Sequence, residues 1–135
     1  MLCGDCGADG WGCGVTRLYL AGPMTGIANL NFPLFNAEAA RLRALGHDIV
    51  NPAEINGGAD ELVACAAMMP DELAAHWLTC MRKDVVALMT CDGVALLPGW
   101  ERSRGVNVER TLAINLGLPV VLAAELVWRV QGGVA

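Results

Sequence analysis

The sequence predicts an α/β fold, a parallel sheet covered by helices on both sides. Three observations carry this. Short apolar runs of four to six residues alternate with helical patterns of a dozen or more. The runs are near-continuously apolar, as strands covered on both faces are. Glycine and proline punctuate nearly every junction.

The elements follow in order. Arg17 to Ala21 is an apolar strand halted by Gly22-Pro23. Asn31 to Leu45 reads as a helix, with Leu34, Ala37, Leu42 and Leu45 on one face and Gly46 as its stop. His47 to Val50 is a second strand, closed by Asn51-Pro52. Gly57-Gly58 marks a loop, and Asp60 to Met69 a short helix. Pro70 suits the first turn of a further helix that runs to about Thr90. Gly93 to Leu97 is the third strand, ended by Pro98-Gly99. Ser103 to Leu116 is a helix stopped by Gly117, Pro119 to Leu122 the last strand, and a short C-terminal helix is expected after it. With right-handed crossovers these give a Rossmann-like (flavodoxin-like) three-layer sandwich with a four- to five-stranded parallel sheet.

Composition narrows the function classes. The 135 residues suffice for one domain. A hydrophobic fraction of 55% against 17% charged excludes disorder. It also exceeds the average for a soluble domain, which points to an additional buried surface such as a subunit interface. The net charge of −5 with no basic stripe disfavours duplex nucleic acid as a partner. No 18-residue apolar run suggests a membrane span, and the N-terminus lacks a secretory layout, so a cytoplasmic location is expected. Residues 1–15 read as a flexible Gly/Cys-rich leader before a single domain, 16–135. Cys3, Cys6 and Cys13 lack the fourth ligand that zinc wants, so they read as a reduced tail. Cys65, Cys80 and Cys91 read as free buried thiols. His47 and His76 read as structural. No dinucleotide fingerprint or Walker loop is present, and no cofactor or metal is expected.

In parallel sheets, ligands bind beyond the carboxyl ends of the strands. That directs attention to Gly22, Pro23, Met24 and Thr25, and to the stretch from Pro98 to Gly105. The helix from Ser103 is expected to bury Val108, Leu112 and Leu116, with Val106 and Ala113 beside them. Glu109 then lies on or beside the apolar stripe, where a carboxylate is costly unless paired or used. Asp84 repeats the pattern between Met81 and Leu88, on a stripe with Trp77 and Val85. Both acids also admit a bland reading as structural ion pairs. Gly105, one turn before Glu109, leaves a bare surface for a ligand. Ser103 stands at the N-cap, where its hydroxyl and the first amide N–H groups make an anion site, or simply a cap.

Several motifs together resemble the DUF4406 family: Leu18-Tyr-Leu-Ala-Gly-Pro-Met-Thr-Gly26, Asn31-Phe-Pro-Leu-Phe-Asn36, Gly46-His47, Asn51-Pro52, Arg82-Lys-Asp84, Cys91-Asp92 and Leu97-Pro-Gly-Trp-Glu-Arg-Ser-Arg-Gly105. That family is similar to nucleoside 2-deoxyribosyltransferases and 2′-deoxynucleoside 5′-phosphate N-hydrolases. The resemblance implies Glu109 as nucleophile after Gly105, and Asp84 as second acid, eight residues before Asp92. It implies Ser103 as a phosphate-binding serine, Tyr19 as the first-strand tyrosine, and Gly22 through Thr25 as the first substrate loop. Pro23 and Thr25 stand where the hydrolases have Ser and Arg, so Arg102 or Arg104 would grip phosphate instead. The implied activity is cleavage of the N-glycosidic bond of a nucleoside or its 5′-monophosphate, by hydrolysis or deoxyribosyl transfer, in a homodimer or larger homo-oligomer. Trp100 would close over the base or anchor a subunit contact, with Gly99 beside it. The competing class is a non-catalytic nucleotide-binding module. The buried acid pair discriminates against it, because a pure binder needs no acid under the sugar.

Overall fold

The computed structural model describes residues 16–127. The readings of residues 1–15 as a leader, and of Cys3, Cys6 and Cys13 as a reduced tail, lie outside these residues. The described part is a three-layer α/β sandwich around a four-stranded, all-parallel sheet. Strand β1 (Arg17–Ala21) is followed by α1 (Phe32–Ala44), β2 (Asp48–Val50), α2 (Pro52–Ile55), α3 (Ala59–Ala66), α4 (Pro70–Leu88), β3 (Gly93–Leu96), α5 (Arg104–Asn115) and β4 (Val120–Leu122). The strand order is β2-β1-β3-β4, with Leu18 beside Ile49 on one side and Gly93 on the other. The chain therefore reverses its winding direction at β1. A crevice opens between the carboxyl ends of β1 and β3, where doubly wound sheets take ligands.

Strand alternation divides the core. Leu18 and Leu20 face α1, in a cluster with Phe35, Ala39, Leu42 and Ile49. Tyr19 and Ala21 face the other way, with Leu88 of α4 and Val106 and Ala113 of α5. Tyr19 is thereby placed under α5. The loops that close the crevice interlock. A Cβ on Gly22 would come within 2.8 Å of Leu97 Cβ. One on Gly99, whose φ is +85°, would meet Pro23 Cγ at 3.2 Å. Both positions require glycine, and together they let the loops after β1 and β3 touch.

The structure amends three expectations. Asn51-Pro52 does more than close β2. Asn51 Oδ1 accepts the Ala53 N–H at 3.0 Å and Pro52 fills the first helical position, so a turn of helix, α2, starts there. The helix expected over Asp60–Met69 ends at Ala66. Met69 precedes a proline and is extended, with φ −78° and ψ 162°, so no helix can run through it. A three-residue 3-10 turn, Ala123–Glu125, follows β4, and the rest of the stretch expected to hold a short C-terminal helix lies outside the described residues. Finally, α5 buries Val106, Glu109 and Ala113, while Val108 and Leu116 are exposed. The buried stripe is thus rotated from the one expected, and Glu109 lies at its centre.

The Gly22 contact yields a prediction. Gly22→Ala forces Leu97 or the loop to shift and should destabilise the fold by about 1–3 kcal/mol. Chemical denaturation checks this, and an unchanged midpoint would mean the loops do not interlock as described.

Candidate active site

A cavity of about 1240 Å³ lies over the carboxyl ends of β1 and β3, large enough for a ligand of drug-like size. Its floor is β1 and α5. Tyr19, fully buried on β1, donates its hydroxyl hydrogen to Glu109 Oε2 at 2.5 Å. Glu109, on the buried stripe of α5, is 5% exposed. Burial pushes its carboxyl up to about 8, against the opposing pull of the Tyr19 hydrogen bond, and the neighbouring Asp84 charge raises it further. The Tyr19 hydroxyl is raised well above its ordinary value, by burial first and then by the Glu109 charge. It stays a donor at any physiological pH.

Asp84 enters from α4 and is 7% exposed. Burial pushes it up to about 6, with the Asn56 hydrogen bond and Lys83 holding it down. Asn56 closes α2, and its Nδ2 donates to Asp84 Oδ1 and to Pro52 O, both at 3.0 Å. Its own Oδ1 is buried with no hydrogen-bond partner among the described residues, although Asn56 lines the cavity. An acceptor left open at a cavity wall is suited to a donor on a ligand. Sequence reading did not single out Asn56. The only signal was its place one turn after Asn51-Pro52, which is weak.

The carboxyl pair has no cation within salt-bridge distance, so neither acid is a structural ion pair among the described residues. Burial raises both carboxyls, Glu109 further than Asp84, so the two hold their protons unequally. Two buried acids with separated ranges form an acid–base couple.

At the cavity's other end, Ser103 caps α5, accepting the Val106 N–H at 3.2 Å. The N–H groups of Arg104 and Gly105 have no acceptor within the helix, which leaves a focus of positive potential facing the cavity. Arg102 and Arg104 line the same end, and the Arg104 guanidinium lies 3.9 Å from the Trp77 ring centroid. Gly105 also lines the cavity, yet the space beside it is shared with α4. A Cβ there would meet Met81 Sδ at 3.2 Å, so the glycine also lets α4 approach α5.

The cavity thus gathers Tyr19, Gly22, Pro23, Met24, Thr25, Asp84, Gly99, Ser103, Gly105 and Glu109. Two expected residues stand elsewhere. Asp92 opens β3 at the opposite end of the sheet, where its carboxylate accepts the Arg17 N–H at 2.9 Å. It is a structural link between strands β1 and β3. Trp100 turns from the cavity to pack against the α5-side core, with the Arg110 guanidinium 5.0 Å from its ring centroid. Of the three described cysteines only Cys91 is buried, and Cys65 and Cys80 are half-buried at the cavity wall. No helix among the described residues is long and apolar enough to cross a membrane.

The profile of a family described as a domain of unknown function, DUF4406, matches residues 16–122. No curated protein matches the chain.

The Glu109 environment makes stability pH-dependent in a defined sense. The folded state holds the proton up to about pH 8, whereas an unfolded glutamate releases it near pH 4.3. The unfolded state therefore binds fewer protons across this window, and stability falls as pH rises. Below about pH 6 Asp84 adds to the slope. From pH 6 to 8 the loss should reach about 1 kcal/mol per unit and be absent in Glu109→Gln. Melts across pH compare the two proteins, and identical slopes would contradict the raised carboxyl.

Proposed function

The chain belongs to the DUF4406 family, and from that premise we propose that it cleaves the N-glycosidic bond of a nucleoside 5′-monophosphate or nucleoside, by hydrolysis or deoxyribosyl transfer. The observation that carries this reading is Glu109: a carboxyl buried on the cavity floor, held by Tyr19 and uncompensated by any cation among the described residues. The motif likeness to nucleoside 2-deoxyribosyltransferases and 2′-deoxynucleoside 5′-phosphate N-hydrolases points the same way.

Breaking the bond develops positive charge at C1′ and negative charge on the departing base. Glu109, ionised, attacks C1′ or stabilises the cation from below, as carboxylates do in retaining glycosidases. Tyr19 holds one carboxylate oxygen and leaves the other for the sugar carbon. Asp84, protonated, delivers a proton to the base, and Asn56 Oδ1 offers an acceptor to the same ligand. Water or a second base then takes C1′ from Glu109, its proton returning to the Asp84 carboxylate. The phosphate sits at the α5 N-terminus, with the Ser103 hydroxyl donating to it while its oxygen keeps the Val106 N–H. Arg102 and Arg104 supply positive charge at that end. The reactive state has Glu109 ionised and Asp84 protonated, so the pair carries a single proton. Activity is then confined to the range between the two titrations of the pair.

The chain also works as a homo-oligomer in this reading. Leu78 and Val86 on α4 with Met89 at its end, and Val108 on α5 with Leu116 at its end, are exposed, which suits burial against a second copy. Light scattering should give a mass above the 14.2 kDa of one chain, and a monomer at micromolar concentration would refute it.

Base release from a panel of nucleotides, followed by chromatography, tests the reaction. kcat/KM should be bell-shaped with limbs near pH 6 and 8, where burial places the Asp84 and Glu109 carboxyls. Glu109→Gln should abolish release without loss of the fold. Ser103→Ala should weaken a monophosphate by roughly 1–3 kcal/mol and barely affect the nucleoside. Full activity in Glu109→Gln would overturn the proposal.

A further inference from the structure

Beside the acid pair, the cavity wall carries a second cluster that the N-glycosidase reading does not use. Glu61 and Cys65 stand four residues apart on α3, and His76 and Cys80 four apart on α4. That spacing puts each pair on one helix face. The two faces meet at the cavity, which all four residues line. The contacts converge on Glu61 Oε2. His76 Nε2 is 2.6 Å from it, Cys80 Sγ 3.6 Å and Cys65 Sγ 3.4 Å. Cys80 Sγ is in turn 3.4 Å from His76 Nε2. The Glu61 oxygen, the His76 nitrogen and the Cys80 sulfur all lie within 4.8 Å of one another.

Two simpler readings fit less well. An ion pair accounts for Glu61 and His76, whose side chains are 11% and 24% exposed, but not for thiols gathered on the same carboxylate oxygen. A nucleophile–base relay would put the thiol on one imidazole nitrogen and the acid on the other. Here Nε2 alone faces both. Burial and the Glu61 charge also push the Cys80 thiol up to about 12, the reverse of nucleophile activation. Three donors of different type, with their atoms turned to one point, are instead arranged as ligands around a common centre. With zinc bond lengths of about 2.0–2.3 Å, the edges of a tetrahedral site measure about 3.4–3.8 Å. The Cys80–His76 and Cys80–Glu61 separations already have those lengths, and the Glu61–His76 separation needs to widen by less than about 1 Å.

We propose that Glu61, His76 and Cys80 form a binding site for a thiophilic divalent cation of the zinc class, on the α3–α4 wall of the cavity. Binding replaces the Cys80 S–H bond by a metal–sulfur bond and releases that proton to solvent. His76 Nε2 gives its lone pair, its ring proton residing on Nδ1, and Glu61 gives a carboxylate oxygen. The cation's charge compensates the thiolate and the carboxylate together, which the ligand-free cluster cannot do. The metal also ties α3 to α4, one helical turn from Asp84. Because protons leave on binding, affinity rises with pH. The site stands independently of the role assigned to Glu109.

Full-length, metal-free protein titrated with Co²⁺ tests it. A near-ultraviolet thiolate-to-cobalt band should grow to saturation at one equivalent and vanish on addition of Zn²⁺. The band should be lost in Cys80→Ser and His76→Ala, and kept when Cys3, Cys6 and Cys13 are all replaced by serine. In the wild-type protein, Zn²⁺ should also slow alkylation of Cys80, followed by peptide mass mapping, and raise the melting temperature. No cobalt band, a band that survives Cys80→Ser, a band lost with the three N-terminal cysteines, or Cys80 alkylation indifferent to Zn²⁺ would each overturn the proposal.

Discussion

The hydrogen bond from Tyr19 to Glu109 is the contact on which the candidate site depends. A carboxyl at the centre of a buried helix stripe is unfavourable there, and local packing would be better served by an apolar side chain. The fold tolerates it because one oxygen has a fixed donor and because the group can stay protonated up to about pH 8. Those two conditions pull in opposite directions. Burial drives the carboxyl toward its neutral form, and the tyrosine favours the charged one. Their balance leaves a group that can be ionised at modest cost in a place shielded from water.

The sheet supplies the geometry of that contact. Alternation on β1 sends Leu18 and Leu20 into the α1 layer and Tyr19 toward α5. A register slip of one residue would exchange these faces and leave Glu109 without its donor. The order β2-β1-β3-β4 then places the open end of β1 at the winding reversal. Gly22 and Gly99 allow the loops there to meet. Asp84 arrives on the same side because α4 packs beside α5, an approach helped by the missing side chain at Gly105. The helix N-terminus capped by Ser103 sets a positive end about one and a half turns from the Glu109 carboxyl.

The sequence was informative where a local pattern had one physical solution. The bounds of β1 and the cap at Ser103 follow from an apolar run before Gly-Pro and from a serine before a helical period. Glu109 and Asp84 stood out because charge interrupts an apolar stripe, whereas Tyr19 was pointed to only by the family resemblance. What could not be read depends on tertiary contacts. The rotation of α5 that exposes Val108 and buries Glu109 is set by the sheet beneath it, and helical period alone leaves such a choice open. Asn56 gains meaning only through Asp84, twenty-eight residues away. Asp92 keeps the spacing from Asp84 that the resemblance implies but sits at the amino end of its strand, so the interval misled about its place. His76 read as structural, yet it meets Glu61 and Cys80 across two helices, a convergence no linear motif displays.

The candidate site turns on a glutamate whose proton is held by burial and loosened by a tyrosine. A carbon-13-detected NMR titration of the Glu109 side-chain carboxyl, in the wild-type protein and in Tyr19→Phe, tests this most directly. The midpoint should lie near pH 8 in the wild type and move higher in Tyr19→Phe, since the lost hydrogen bond favoured the ionised form. A wild-type midpoint in the ordinary carboxylate range of about 4–5, or one that Tyr19→Phe leaves in place, would contradict it.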